Sequence, residues 1–84
     1  MKVEIYSKSH CPFCEKAKKW FQDRGYEYTE YKLDNDEERM AFYQRVPSAR
    51  SVPQIFIDDV GIGGSDDLAE LDQAGKLDAM LAGA

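Results

Sequence analysis

The sequence predicts an α/β fold in which helices flank a four-stranded mixed sheet. Two observations predict it. The β-rich and amphipathic stretches follow the order βαβ, then α, then ββα, and only two residues separate the last two β-rich stretches. A βαβ unit implies a parallel pair of strands with a crossover helix, whereas a hairpin adds antiparallel strands. With 84 residues, we expect a single domain over 1–84.

The first half of the chain carries the βαβ unit. Residues 2–6 alternate in polarity and are rich in β-forming side chains, which predicts a strand. A loop then leads to Pro12, which suits a first helical turn because proline has no N–H to lose. The spacing of apolar residues predicts a helix over 13–24 that stops at Gly25. Alternating tyrosines predict a second strand over 26–33.

The predicted first helix is amphipathic. Cys14, Ala17 and Phe21 fall on one face, with Phe13 and Trp20 beside it. The lysines of the helix are expected on the opposite, solvated face. The second cysteine of the chain should therefore be buried.

The second half of the chain begins with a helix over 34–46 that opens with acidic capping residues. A loop over 47–53 leads into a buried strand at 54–57, and a turn at 58–59 returns the chain as a strand over 60–62.

The last helix is predicted from the run GGSDDLAELDQAGKLDAML. Two glycines precede Ser65, which we expect to be the N-cap, and Gly75 interrupts the helix.

The composition excludes several classes of protein. Hydrophobic residues make up 43% of the chain and charged residues 32%, which is typical of a folded domain with a polar surface. The net charge of −5 is unlike that of a nucleic-acid binder. No stretch approaches the roughly 20 apolar residues that span a bilayer, and the first residues lack a signal-peptide core. We expect a cytoplasmic protein and no contact with a membrane.

The two cysteines, Cys11 and Cys14, could form a structural disulfide, a metal site or a redox couple. A structural disulfide is unfavourable in a reducing cytoplasm, and one closing so short a loop restricts the unfolded chain little. His10 could add a third metal ligand, but a closed zinc site needs four and the chain has no second Cys or His pair. The CxxC spacing at a strand-to-helix junction favours thioredoxin-like redox chemistry.

The position of Cys11 at the start of a helix suits a nucleophile. Free N–H groups and the helix dipole favour negative charge there, and thiolate is the reactive form of cysteine. Lys8 could contribute positive charge from the loop. Cys14 would attack the mixed disulfide that Cys11 forms and so release the product.

Two distant features could bind a peptide-like ligand. Pro53 precedes a buried strand and, if cis, would leave the backbone N–H and C=O of Val52 free to pair with an extended ligand; an ordinary trans turn is the alternative. The run GGSDD at 63–67 could hold a carboxylate on helix N–H groups and an ammonium on its aspartates, or could simply cap a helix. Lys8 could bind another carboxylate or be a solvated loop residue.

Taken together, these motifs make the chain resemble a glutaredoxin, most of all the short bacterial dithiol type. The motifs are VEIYSKSHCPFC, SVPQIFID and IGGSDDL, and they lie in the family's order and spacing. The resemblance covers essentially the whole chain. It implies a thioredoxin fold with a groove for glutathione.

The resemblance also implies an activity. The protein would be a glutathione-dependent thiol–disulfide oxidoreductase that reduces protein disulfides and protein–glutathione mixed disulfides, with Cys11 as nucleophile and Cys14 as resolving thiol. Glutathione would be the reducing co-substrate, without a metal, and NADPH-dependent glutathione reductase would recycle it. Client proteins would be the partners, ribonucleotide reductase being a common one in the family. We expect a monomer that binds no nucleic acid.

The resemblance assigns a set of glutathione-binding residues: Lys8, Phe13, Arg39, Ser51, Val52, Pro53, Gly64, Ser65, Asp66 and Asp67. Lys8 would meet the glycine carboxylate, with Arg39 as a candidate second cation. Val52 would pair with the cysteinyl backbone after a cis-Pro53. The residues from Ser65 to Asp67 would bind the γ-glutamyl end.

The chain departs from the family pattern at several positions. Phe13 replaces the usual tyrosine, Ser51 replaces threonine, and Ser65 stands where many relatives carry a third cysteine. The loop after the second helix has Pro47 and Ser48 where a glycine is usual. We expect a mild effect from the hydroxyl lost at Phe13 and a small one from Ser51, while Ser65 excludes oxidation at that position.

Two alternative functions remain open at this point. A redoxin fed by thioredoxin reductase would not need a γ-glutamyl pocket. A glutathione-ligated iron–sulfur cluster module would use Cys11 of two chains, but family members that do this usually lack Pro12.

Overall fold

The computed structural model describes residues 2–49 and 51–82, so that Arg50 in the predicted loop lies outside the described residues. Within them the strands are β1 (Val3–Ser7), β2 (Thr29–Lys32), β3 (Gln54–Ile57) and β4 (Val60–Gly63), and the helices are α1 (Pro12–Asp23), α2 (Asp36–Arg45), α3 (Ser65–Gln73) and α4 (Lys76–Ala82). The predicted order of elements is confirmed, including the interruption of the last helix at Gly75.

The sheet has the strand order β2-β1-β3-β4. Strand β1 runs parallel to β2 and antiparallel to β3, and β4 completes an antiparallel hairpin with β3. All five residues of β1 are buried, because the strand is central and helices cover both faces of the sheet. The alternation of polar and apolar residues in β1 therefore does not distinguish a solvent-exposed face from a buried one.

Each face of the sheet carries its own hydrophobic cluster. Helices α1, α3 and α4 cover one face, and the buried residues there are Val3, Ile5, Ala17, Phe21, Ile55, Ile57, Leu68 and Leu77. Helix α2 covers the other face, where the buried residues are Tyr6, Leu33 and Phe42. The buried face predicted for the first helix is thus confirmed.

Strand β2 is shorter than the sequence predicts. It begins at Thr29 rather than at residue 26. The N–H of Tyr26 donates to the carbonyl of Phe21, so the residues after Gly25 complete the end of α1 before the chain can pair with β1. Tyr26 and Tyr28 pack against the hydrophobic cluster from outside the strand.

The expectation that every lysine of α1 faces solvent is wrong for Lys18, which is only 8% exposed. Its Nζ donates to carboxylate oxygens of Glu15 and Glu30, each at 2.8 Å, and the Ser7 hydroxyl donates to Glu30 at 2.6 Å. The bond to Glu15, followed by that to Glu30, raises the pKa of Lys18. This cluster joins α1 to β1 and β2, and ion pairing makes burial of the ammonium tolerable.

A second buried ion pair joins α2 to the central strand. The Glu4 carboxylate is 3% exposed and accepts one hydrogen bond from each terminal nitrogen of Arg45, both at 3.1 Å. The Tyr31 hydroxyl donates to the same carboxylate at 3.0 Å, and Arg45 also reaches Asp59. The bonds from Arg45, which outweigh the effect of burial, lower the pKa of Glu4.

We predict that Arg45→Ala lowers the free energy of unfolding by about 3 kcal/mol near neutral pH, because the buried Glu4 carboxylate loses both hydrogen bonds from Arg45. It keeps only the more distant and exposed Lys2 ammonium, at 3.7 Å, as a counter-ion. The matched control is Lys19→Ala, which removes an exposed pair with Asp23 and should cost less than about 1 kcal/mol. Urea unfolding monitored by circular dichroism measures both.

The cost of Arg45→Ala should also depend on pH. The pKa of folded Glu4 lies below its ordinary value of 4.5, so the stability that the ion pair contributes is present above that pH and is lost as the pH falls through the folded pKa. The difference in the free energy of unfolding between wild type and Arg45→Ala should therefore become smaller below about pH 4.5. Equal costs for Arg45→Ala and Lys19→Ala at neutral pH would contradict this account.

Candidate active site

Cys11 is the N-cap of α1, at the point where the chain leaves β1 and enters the helix. Its Sγ accepts a hydrogen bond from the backbone N–H of Cys14 at 3.3 Å. Cys14 is completely buried one turn later, whereas Cys11 retains 7% exposure. Because an N–H and the positive end of the helix both face Sγ, the environment favours a thiolate at Cys11 over one at Cys14.

The two cysteines are joined as a disulfide, with their Cα atoms 5.2 Å apart. This is the oxidised form of the couple that the sequence predicts. Within the described residues, no group of three or more His, Cys, Asp or Glu side chains is arranged to hold a metal ion.

Two further segments meet the N-terminus of α1. The Val52–Pro53 peptide bond is cis, as the resemblance implies, and the Val52 carbonyl oxygen lies 3.9 Å from the Sγ of Cys11. The β4–α3 junction also passes close to Pro53, because a Cβ added at Gly64 would lie 3.2 Å from the Pro53 carbonyl oxygen. The three motifs that are far apart in the sequence therefore lie side by side.

A cavity of about 340 Å³ lies on one side of Val52. Its lining residues are Phe13, Ser51, Val52, Pro53, Gln54, Gly64, Ser65, Asp66 and Asp67. The ring of Phe13 is 60% exposed and forms a wall rather than part of the core. The far end combines the N-terminus of α3 with two carboxylates, so it presents both partial positive and full negative charge.

A second cavity of about 240 Å³ lies on the other side of Val52. Its lining residues are Lys8, Leu33, Arg39, Phe42, Tyr43, Ser51 and Val52. The Arg39 guanidinium donates to the Leu33 carbonyl at 3.2 Å and also pairs with Asp36. This cavity therefore carries two cations, one of which is partly neutralised by an acidic neighbour.

The two cavities share Ser51 and Val52, and together they are called the groove here; the Val52 carbonyl oxygen lies 3.9 Å from Cys11 Sγ. All ten residues that the resemblance assigns to glutathione binding line this groove.

The expectation that Ser65 is the N-cap of the last helix is wrong. Gly64 occupies the N-cap, with extended backbone angles, and Ser65 is the first helical residue. The carboxylate of Asp67 accepts the Gly64 N–H at 2.9 Å and so performs part of the capping. Asp67 thus has a structural partner, while Asp66 is exposed at the helix start.

Sequence reasoning missed four residues of the groove: Leu33, Phe42, Tyr43 and Gln54. Gln54 directly follows Pro53 in the sequence, so this adjacency could have indicated that it lines the groove. Tyr43 is 52% exposed and lies on α2, whose position against the sheet no local pattern gives. The fold brings it to the groove because α2 packs beside the carboxyl ends of the parallel strands.

The fold and the site together define a class of protein. A CxxC pair at the start of a helix, beside a cis-proline that opens an antiparallel hairpin, is the arrangement of a thiol–disulfide oxidoreductase of the thioredoxin fold. In the described part of the chain, no helix has the length and apolar character needed to cross a membrane.

Comparison with known proteins then gives the family. The glutaredoxin family model matches residues 3–62. A probable glutaredoxin of Synechocystis sp. is 52% identical over 81 residues, which cover 95% of this chain and 92% of the relative. Wheat glutaredoxin superposes with a TM-score of 0.85 at 37% identity, covering 100% of this chain and 82% of that one. The chain belongs to the glutaredoxin family.

The structure of a buckwheat glutaredoxin–glutathione complex is also similar. It superposes with a TM-score of 0.82 at 33% identity and covers 95% of this chain and 76% of the buckwheat chain.

We predict that Gly63→Ala lowers the free energy of unfolding by about 2 kcal/mol or more, because Gly63 has a positive φ of 101° and an added Cβ would overlap the Asp67 carboxylate. Gly75→Ala is the matched control: φ is 72°, but nothing lies within 4 Å of an added Cβ. Gly75→Ala should lower the free energy of unfolding only by the backbone strain, about 1 kcal/mol. Urea unfolding of both variants measures the difference in their free energies of unfolding. Equal losses of stability would contradict this account, because they would show that the Asp67 side chain moves away from an added Cβ without an energetic penalty.

Proposed function

We propose that this glutaredoxin uses glutathione to reduce protein disulfides and protein–glutathione mixed disulfides through Cys11 and Cys14. One observation carries the proposal: Cys11 Sγ lies 3.9 Å from the carbonyl oxygen of Val52, a residue shared by two cavities that carry the charges a glutathione molecule requires. Glutathione has a carboxylate at its glycine end and both an ammonium and a carboxylate at its γ-glutamyl end. The similar buckwheat protein is known in complex with glutathione, which supports the same ligand here.

The glycine end of glutathione would lie in the cavity with Lys8 and Arg39. Both cations line that cavity, and a carboxylate there would gain charge-assisted hydrogen bonds. Lys8 is the stronger candidate of the two, because Arg39 already pairs with Asp36.

The γ-glutamyl end would lie at the start of α3. Backbone N–H groups of the first turn can donate hydrogen bonds to its carboxylate, and the carboxylates of Asp66 and Asp67 can accept hydrogen bonds from its ammonium. The exposed ring of Phe13 forms one wall of this cavity.

The cysteinyl part of glutathione would pass Val52. The backbone of Val52 lines both cavities, and its carbonyl oxygen is 3.9 Å from Cys11 Sγ. An extended ligand paired with this backbone would place its sulfur beside Cys11.

In deglutathionylation, the Cys11 thiolate attacks the glutathione sulfur of the mixed disulfide, and the client leaves as a thiolate that takes a proton. A second glutathione thiolate then attacks the glutathione sulfur on Cys11. This releases glutathione disulfide and restores the Cys11 thiolate.

Reduction of a protein disulfide uses both cysteines. Cys11 forms a mixed disulfide with the client, and Cys14 attacks Cys11, so that the reduced client leaves and the Cys11–Cys14 disulfide remains. Two glutathione molecules then reduce that disulfide and leave as glutathione disulfide. The buried position of Cys14 suits attack on its neighbour rather than on an external substrate.

We predict that Cys11→Ser abolishes turnover of a glutathionylated peptide in an assay coupled to glutathione reductase and NADPH, because the less buried of the two thiols is lost and Cys14 is completely buried. Cys14→Ser should turn over the same peptide at a rate of the same order as wild type, yet fail to reduce a protein disulfide that needs both thiols. Loss of both activities in Cys14→Ser would contradict the division of roles, and a wild type that does not turn over the peptide would contradict the function.

A further inference from the structure

The short loop between β1 and α1 carries Lys8 and leads directly to Cys11, yet it has little regular structure of its own. His10 adopts a positive φ of 59°, a conformation that side chains other than glycine rarely adopt. A loop in this conformation needs contacts from elsewhere to keep it in place. Those contacts come from the segment that follows β2.

The backbone pairing of the parallel strands ends just before this loop. The Leu33 N–H donates to the Ser7 carbonyl at 2.8 Å. Beyond the ends of both strands, a side chain continues the pairing. The Asp34 carboxylate accepts the Ser9 N–H at 3.1 Å with one oxygen and the Ser9 hydroxyl at 2.7 Å with the other. Both oxygens of Asp34 are therefore used by the residue that follows Lys8.

The same segment also contacts the second cation of the groove. The Leu33 carbonyl accepts a hydrogen bond from the Arg39 guanidinium at 3.2 Å. Leu33 thus holds the Arg39 guanidinium, while the next residue, Asp34, holds Ser9, which directly follows Lys8. Lys8, Leu33 and Arg39 line the same cavity. The bonds from Ser9 lower the pKa of Asp34, so the carboxylate is ionised at neutral pH.

We propose that Asp34 is a positioning residue, which through its paired hydrogen bonds to Ser9 fixes the loop so that Lys8 faces the glycine carboxylate of glutathione beside Arg39. This inference rests on the proposed function. Asp34 itself does not line the groove. Replacing Asp34 should therefore affect KM only when Lys8 is present.

The test is a double-mutant cycle on KM for a glutathionylated peptide. We expect Lys8→Ala and Asp34→Ala each to raise KM about fivefold, with kcat little changed, because a charge-assisted contact to bound substrate is lost or misplaced. In the double variant the two effects should not multiply, since a misplaced Lys8 has nothing left to contribute. A role confined to stability would leave the KM of Asp34→Ala unchanged, and independent effects on KM would multiply in the double variant. Either result would overturn the proposal.

Asp34→Asn is the matched control. Its side-chain oxygen can accept the Ser9 N–H and its amide can donate to the Ser9 hydroxyl, so the pairing is kept while the charge is removed. We expect KM within about twofold of wild type. A KM as high as that of Asp34→Ala would show that the charge of Asp34 acts directly, and would overturn the proposal.

Ser9→Ala keeps the test decisive if Asp34→Ala does not fold. It removes only the hydroxyl bond, so it should raise KM by a smaller factor and should also fail to multiply with Lys8→Ala. Multiplicative effects for Ser9→Ala would overturn the proposal.

A substrate-free measurement separates this inference from the proposed function. The Ser9 amide proton should exchange with solvent about tenfold faster in Asp34→Ala than in Asp34→Asn, by NMR, because only the former loses its acceptor. Equal exchange would overturn the positioning role whatever the substrate. If the wild type does not turn over the glutathionylated peptide but the exchange rates of Asp34→Ala and Asp34→Asn differ as expected, the proposed function alone would be overturned.

Discussion

The first turn of α1 is the constraint on which the site depends. A helix begins with N–H groups that have no partner inside the helix, and here one of them donates to a sulfur atom rather than to a hydroxyl or carboxylate. The same contact that caps the helix therefore stabilises negative charge on Cys11. Burial of the central strand β1 then fixes where this turn lies, because the strand ends only a few residues before Cys11.

Two buried ion-pair clusters secure the elements around that turn. Lys18 joins α1 to the parallel strands, and Arg45 joins α2 to β1 through Glu4. Neither cluster contacts substrate in the proposed mechanism. They hold α1, which carries Phe13, and α2, which carries Arg39, against the sheet, so that both residues keep their positions in the groove.

The sequence predicted the features that depend on local pattern. The order of the elements, the start of α1 at Pro12 and the burial of Cys14 follow from turn residues and helical periodicity. It did not predict the burial of Lys18 or Glu4, because their partners lie on other elements and local polarity indicates exposure for any charged residue. The residues themselves indicated Lys8, Val52 and the run at 63–67 as possible ligand contacts. The family resemblance supplied the name of the ligand and added Phe13, Arg39 and Ser51, and Tyr43, which no motif includes, was missed.

The central claim is that the fold makes Cys11 the ionised, attacking thiol and leaves Cys14 protected. The most direct measurement is the rate at which iodoacetamide alkylates each cysteine of the reduced protein as a function of pH, with the modified peptides identified by mass spectrometry. The account predicts that Cys11 reacts first, and already well below the pH of about 8.5 at which an ordinary thiol is half ionised, while Cys14 reacts slowly throughout. Equal rates for the two cysteines, or a Cys11 that reacts only at higher pH, would contradict it.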